Sequence, residues 1–171
     1  MIAAPLAILS SSNKGHHMTV TTFADFASAQ EAREENAQTI LNYTQCLCEA
    51  LVRNYVEYSI RGLKRSALLA GDQREVCYYN QRIEEVLQET PDVDFYIKSG
   101  RKYHKIIQKD LKCGSGAESV HAFVDKKTGD VYKAASWNAP AKIVRFNLTS
   151  DKDREYLLEK ADWAGGYLYV R

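Results

Sequence analysis

Apolar residues recur at three- and four-residue intervals through the first half of the chain and at alternate positions through the second. Between Phe23 and Ala70, residues Ile40, Thr44, Leu47, Leu51 and Tyr58 form one stripe, widened by Leu41, Cys48 and Tyr55, and no proline interrupts it. That spacing predicts a long amphipathic helix, with Thr21 or Thr22 able to cap its start and Gly71 able to end it. Asp72 opens a second predicted helix, with Glu75 at the capping-box position, Val76, Tyr79, Ile83 and Val86 as its apolar stripe, and Pro91 as its stop.

A first helix of roughly 45 residues would run about 70 Å, longer than a domain of this size is wide. Either it breaks near Asn36 or Gly62, or it projects and pairs with another subunit. Packing on the second helix is the other use for its stripe. The expectation is a homo-oligomer, at least a dimer.

The second half reads as sheet. Predicted strands cover residues 94–98, 102–108, 119–125, 130–133 and 142–148, with a last one at 167–170 after Gly165 and Gly166. In the second of these, Tyr103, Lys105 and Ile107 fall on one face and His104 and Ile106 on the other. Cys113-Gly-Ser-Gly-Ala is a turn, and Thr128-Gly129 is a hairpin signal. Trp137-Asn138-Ala139-Pro140 is a loop, and Thr149 or Ser150 can cap a short helix through Ala161. The fold class is therefore α+β: long N-terminal helices followed by a small antiparallel sheet with one short helix. Residues 1–20 read as a disordered lead, 21–91 as the helical region and 92–171 as the sheet region, one structural unit with the helices.

Composition adds little to this and charge adds more. At 171 residues, 45% hydrophobic and 26% charged, the chain has ordinary globular values. No apolar run approaches the ~20 residues of a membrane helix. Residues 1–9 carry no Lys or Arg ahead of their apolar stretch, so a secretory signal is not expected, and Met18 is an alternative start. The four cysteines, Cys46, Cys48, Cys77 and Cys113, show no metal-binding spacing and are expected as free thiols in a reducing cytoplasm. The near-neutral total hides an asymmetry: residues 23–97 hold seven basic and thirteen acidic side chains, residues 98–148 eleven and four. The second half is thus either a Lys-decorated solvated sheet or an anion-binding one.

No nucleophile elbow, phosphate-binding glycine loop or zinc-protease motif occurs. His104 and His121 sit on separate strands and are the only acid–base candidates outside the lead, which holds His16 and His17. No catalytic residues, metal site or cofactor are expected. The informative set is a mixture of rings and cations, Tyr103, Phe123, Tyr132, Trp137, Phe146 and Trp163 with Lys105, Lys133, Lys142, Arg145 and Arg154. Aromatic faces stack on bases, and Lys and Arg neutralise phosphates. Rings that fill a core beside solvated cations give the same composition. The candidate ligand contacts are Tyr103, Lys105, His121, Phe123, Tyr132, Lys133, Trp137, Lys142, Arg145, Asn147 and Arg154, with Arg145 and Arg154 as the expected phosphate partners.

The strings GRKYHKI, SVHAFVDKKTGDVYKAASWNAPAK, RFNL and DWAGGYLY, spread over residues 100–169, resemble the first-type anti-Thoeris sponge family of bacteriophages. The resemblance covers the last seventy or so residues, and the helical half matches only in plan. It implies long helices joined to a small antiparallel sheet, an oligomer, and sequestration of cyclic ADP-ribose-like signals, with cyclic oligonucleotides as further ligands. It implies action in the host bacterial cytoplasm and supplies the ligand class only; the contact residues above come from their chemistry. The alternative is a phage protein that binds single-stranded nucleic acid or a host protein through the basic sheet. A small nucleotide-processing enzyme would have to use His104 or His121.

Overall fold

A computed structural model describes residues 22–112 and 116–169. Helix α1 spans Phe23–Leu68, 46 residues without interruption at Asn36 or Gly62, so it is about 69 Å long. Thr22 is its N-cap: the Thr22 hydroxyl accepts the Asp25 N–H, and the Asp25 carboxylate accepts the Thr22 N–H at 3.0 Å. Only its middle is buried, at Ile40, Thr44, Leu47, Cys48, Ala50 and Leu51. The buried Thr44 hydroxyl returns its hydrogen bond to the Ile40 carbonyl, 2.7 Å away, which satisfies a polar group inside the core.

Helix α2 (Gln73–Gln88) starts at Asp72, whose carboxylate accepts the Arg74 and Glu75 N–H groups. Glu75 turns back one residue further than a capping box requires and accepts the Gly71 N–H. The helix folds back on α1. Val76, Tyr79, Ile83 and Val86 are half-buried, and no residue of α2 is fully buried.

Five strands follow: β1 (Val93–Ser99), β2 (Tyr103–Asp110), β3 (Glu118–Asp125), β4 (Asp130–Ala134) and β5 (Pro140–Asn147). They form an antiparallel meander in sequence order. Ile106, Ala122, Val124, Val131 and Phe146 share one core cluster with the middle of α1, with Leu157 of α3 (Asp151–Lys160) and with Tyr167 and Leu168. Ile107 and Phe123 are also buried but lie outside that cluster, on the opposite face of the sheet. The molecule is thus two layers, helices on one face and an outer sheet face covered by its own side chains.

Three register shifts break the alternation, the last of them between Tyr132↔Val144 and Ala134↔Pro140. The β2–β3 register steps from Ile106↔Ala122 to Ile107↔Val120, which leaves His121 as the extra residue. The β4–β5 register steps from Val131↔Phe146 to Tyr132↔Val144, which leaves Arg145 as the extra residue. A bulge re-aims its side chain, so neither orientation follows from period-two counting.

The strand expected at residues 167–170 is not a strand. Gly166–Tyr169 is a short 3-10 helix. The cause is local: the Asp162 carboxylate accepts the Ala164 and Tyr167 N–H groups, and Gly165 takes a φ of 81°. A side chain at Gly166 would meet the Asp162 carboxylate at 2.7 Å. The readings that concern the lead, Thr21, residues 113–115 and Val170 lie outside the described residues. Cys46, Cys48 and Cys77 are free thiols, and burial pushes the Cys48 thiol up to about 12.

Candidate functional site

The outer sheet face gathers five of the candidate contacts. Tyr103, Phe123 and Tyr132 lie side by side on β2, β3 and β4, with Tyr103 edge-on to both of the others at centroid separations of 5.9 and 6.0 Å. The register explains this, because Lys105 pairs with Phe123 and Phe123 with Tyr132, and paired residues share a face. Lys105 lies over the Phe123 ring at 5.7 Å and the Trp137 ring at 5.9 Å. Its ammonium donates to the Trp137 carbonyl at 2.9 Å and the Asn138 side-chain oxygen at 3.2 Å. Lys105 therefore pins the β4–β5 loop over the rings. Trp137 remains 42% exposed and Phe123 only 1%, so the loop ring, not the central one, is presented to solvent. Burial, then the nearby Asp130 charge, holds the Tyr132 phenol protonated above its usual range.

The remaining candidates go elsewhere. His121 is on the core face, edge-on to Phe95 and hydrogen-bonded to the Tyr167 hydroxyl at 3.1 Å. Burial pushes its pKa down to about 4, against a smaller opposing pull from Asp162. Lys133 sits over the Tyr169 ring at 3.6 Å, beside the 3-10 helix. Lys142 is exposed on β5, and Arg145 is half-buried at its bulge. Asn147 is a hub of the chain: its amide donates to the Thr128 carbonyl and the Asp130 carboxylate, and its oxygen accepts the Thr149 and Ser150 N–H groups. Arg154 donates to the Leu148 carbonyl and to Asp151 and lies over the Tyr43 ring at 4.3 Å. Asn147 and Arg154 thus hold the β5–α3 junction and the α3–α1 contact. Trp163 is likewise occupied, packed at 5.3 Å against both Tyr55 and Tyr58 of α1.

A second concentration of charge lies at the turn end of the sheet. Arg33 and Asn36 of α1, Arg101 and Lys102 of the β1–β2 turn, and Lys126 and Lys127 of the β3–β4 turn line a cleft of about 780 Å³. The Lys126 ammonium donates to the Gly100 carbonyl at 3.1 Å, and the Asn36 amide donates to the Lys127 carbonyl at 3.0 Å. Gly129 (φ 75°) completes the tight second turn, where Asp125 accepts the Lys127 and Thr128 N–H groups. Lys102 joins the two regions: its ammonium lies 4.9 Å from the Tyr103 ring centroid and 3.7 Å from Asp125. Sequence reasoning missed this cleft because its cations come from three distant segments, one of them in the acidic half. The charge count of residues 98–148 was the only signal, and it did not include Arg33.

The two histidines differ in their surroundings but both stand on the core face. His104 is buried on β2, with Nδ1 2.8 Å from the Ser99 hydroxyl. Burial, then the Lys126 charge, lowers its pKa. No cluster of three or more His, Cys, Asp and Glu suited to a metal occurs among the described residues. No described helix is long and apolar enough to cross a membrane.

Comparison with the curated proteins and with the solved structures gives no match. A family model does match, over residues 23–170, from the first turn of α1 to just past the 3-10 helix. The chain belongs to the family described as "Family of unknown function (DUF7717)".

Proposed function

We propose that this protein binds a nucleotide-class ligand and holds it unaltered. The observation that carries this reading is the outer-face cluster, in which Tyr103 meets Phe123 and Tyr132 edge-on and Lys105 bridges Phe123 to an exposed Trp137. Base–aromatic stacking contributes about 1–3 kcal/mol per base, and Lys102 and Lys105 stand beside those rings. His104 and His121, the acid–base candidates, stand on the core face away from the rings, which supports binding over turnover. The biological form of the reading is a phage protein that sequesters cyclic ADP-ribose-like or cyclic oligonucleotide signals in the host cytoplasm and so evades bacterial defence. That part rests on the resemblance of residues 100–169.

A specific observation favours a second reading. The ring cluster lies on an open sheet face, where Val144 pairs with Tyr132 and is exposed, a surface that accommodates a single strand as well as a small ligand. One experiment separates the two. The purified chain is incubated with cyclic nucleotide, freed of unbound ligand and heated, and the released material is identified. Intact nucleotide, with affinity that changes little with salt, supports sequestration. Linear product that accumulates in excess over protein refutes the non-catalytic reading. No release, together with oligonucleotide binding that falls steeply with salt, establishes the nucleic-acid reading in its place.

A further inference from the structure

We propose that the cleft between α1 and the two sheet turns is a binding site for the polyphosphate group of a small molecule, of nucleoside di- or triphosphate size. The site is distinct from the outer-face rings, and it stands whether or not a base stacks on them.

Five cations converge there from three segments, Arg33, Arg101, Lys102, Lys126 and Lys127, and no carboxylate lines the cleft. Asp125 offsets part of the Lys102 charge from beside it, at 3.7 Å. Like charges brought together by folding repel, and no described group inside the cleft relieves them. A multivalent anion would. Fixed turns hold the arrangement. Lys126 is tied to Gly100, Asn36 to Lys127, and the Lys126 N–H to the Lys102 carbonyl at 3.0 Å. The anion therefore meets turns whose backbone is already set, and the ordering left to be done on binding is that of the exposed Arg33, Arg101 and Lys127 side chains.

Size and charge select the class. A volume of about 780 Å³ is several times what one inorganic phosphate needs and falls in the range of small-molecule pockets. Two of the five cations are guanidinium groups, which grip phosphate oxygens in a fork, and three are ammonium groups, which act as point charges. The combination matches a chain of adjacent phosphates better than a single carboxylate or sulfate. Lys102, shared with the ring cluster through Tyr103, allows one molecule to place its phosphates in the cleft and its base on the outer face.

The test uses the full chain and four probes: inorganic tripolyphosphate, sulfate as the reference anion, a nucleoside without phosphate, and a single-stranded oligothymidylate. Titration calorimetry at constant ionic strength is expected to show tripolyphosphate binding at one site per chain, at least tenfold tighter than sulfate. The side chains of Arg33, Arg101 and Lys127 are exposed and donate no described hydrogen bond, so Arg101→Ala with Lys127→Ala leaves the fold intact. That double variant should lose at least tenfold in tripolyphosphate affinity and keep nucleoside binding. Trp137→Ala should do the reverse. A native chain that binds tripolyphosphate but no nucleoside overturns the outer-face reading and leaves the cleft assignment in place. Tripolyphosphate binding no tighter than sulfate, or unchanged in the double variant, overturns the cleft assignment. So does an oligothymidylate that binds the cleft more tightly than tripolyphosphate, since the site would then be a nucleic-acid backbone track.

Discussion

Acidification should destabilise this protein through one side chain, His121. Its imidazole sits between the Phe95 and Tyr167 rings, hydrogen-bonded to the Tyr167 hydroxyl. Burial pushes its pKa from the usual 6.5 down to about 4. The unfolded chain therefore takes up a proton at higher pH than the folded one. The stability of the neutral, buried histidine is fully present above about pH 6.5, is lost as pH falls, and has no more to lose below about pH 4. The two pKa values give a loss of about 2 kcal/mol at about pH 5 and about 3 kcal/mol in the acid limit. For a domain whose whole stability is of the order of 5–15 kcal/mol, that is a large share. His104 acts in the same direction, so the contribution of His121 has to be isolated. His121→Gln removes the titration and keeps a partner for Tyr167. Urea unfolding of both proteins at about pH 7 and pH 5 should show the native chain losing about 2 kcal/mol more than the variant. Equal losses, or a folded-state His121 that titrates near its ordinary value by NMR, would refute the assignment.

Other outcomes follow from packing and charge. Leu47→Ala, at a fully buried position in the middle of α1, should lower stability by about 2–5 kcal/mol, seen as a shift of the urea midpoint. Arg154→Ala should cost about 1–2 kcal/mol through its lost bonds to Leu148 and Asp151 and its contact with Tyr43, while ligand affinity measured by calorimetry stays the same. Sedimentation at micromolar concentration should report a dimer or larger, because Phe23, Phe26, Tyr58, Leu68 and Tyr78 are exposed along the helical hairpin; a single 19.4 kDa species would refute that.

The helices were legible because their signals are local. Thr22, Asp72 and Ser150 cap where the sequence places them, and the stripe Ile40–Thr44–Leu47–Leu51 is the buried face. The strands were legible from alternation, including the shared face of Tyr103 and Lys105. Four features were not. His121 and Arg145 occupy bulges, and one inserted residue moves a side chain off the face that counting assigns to it. Residues 167–169 carry a strand-like composition, yet Asp162 takes their backbone donor and winds them into a turn of 3-10 helix. Asn147 and Arg154 were expected to meet a ligand because their chemistry suits one. The structure commits their polar atoms to the chain itself, and nothing in composition distinguishes those two uses. The cleft required tertiary contacts between positions 33, 101 and 126, which no local pattern encodes.

Helix α1 is gripped at its centre and along its C-terminal half, but not at its N-terminal end. The core holds Ile40 to Leu51, α2 supports the C-terminal half, and the last described tie on the N-terminal side is the bond from Asn36 to the Lys127 carbonyl. Beyond it, residues 23–35 are exposed apart from a half-buried Ala27, and a helical stretch that short is marginal by itself in water. Amide hydrogen exchange should therefore be graded along a single helix. Amides near Leu47 should exchange only when the whole domain opens, whereas those before Asn36 exchange by unzipping from Thr22 inward. Arg33 lies on the unzipping side of that boundary, so fraying of the helix withdraws one of the five cations from the cleft and leaves the four on the sheet turns in place.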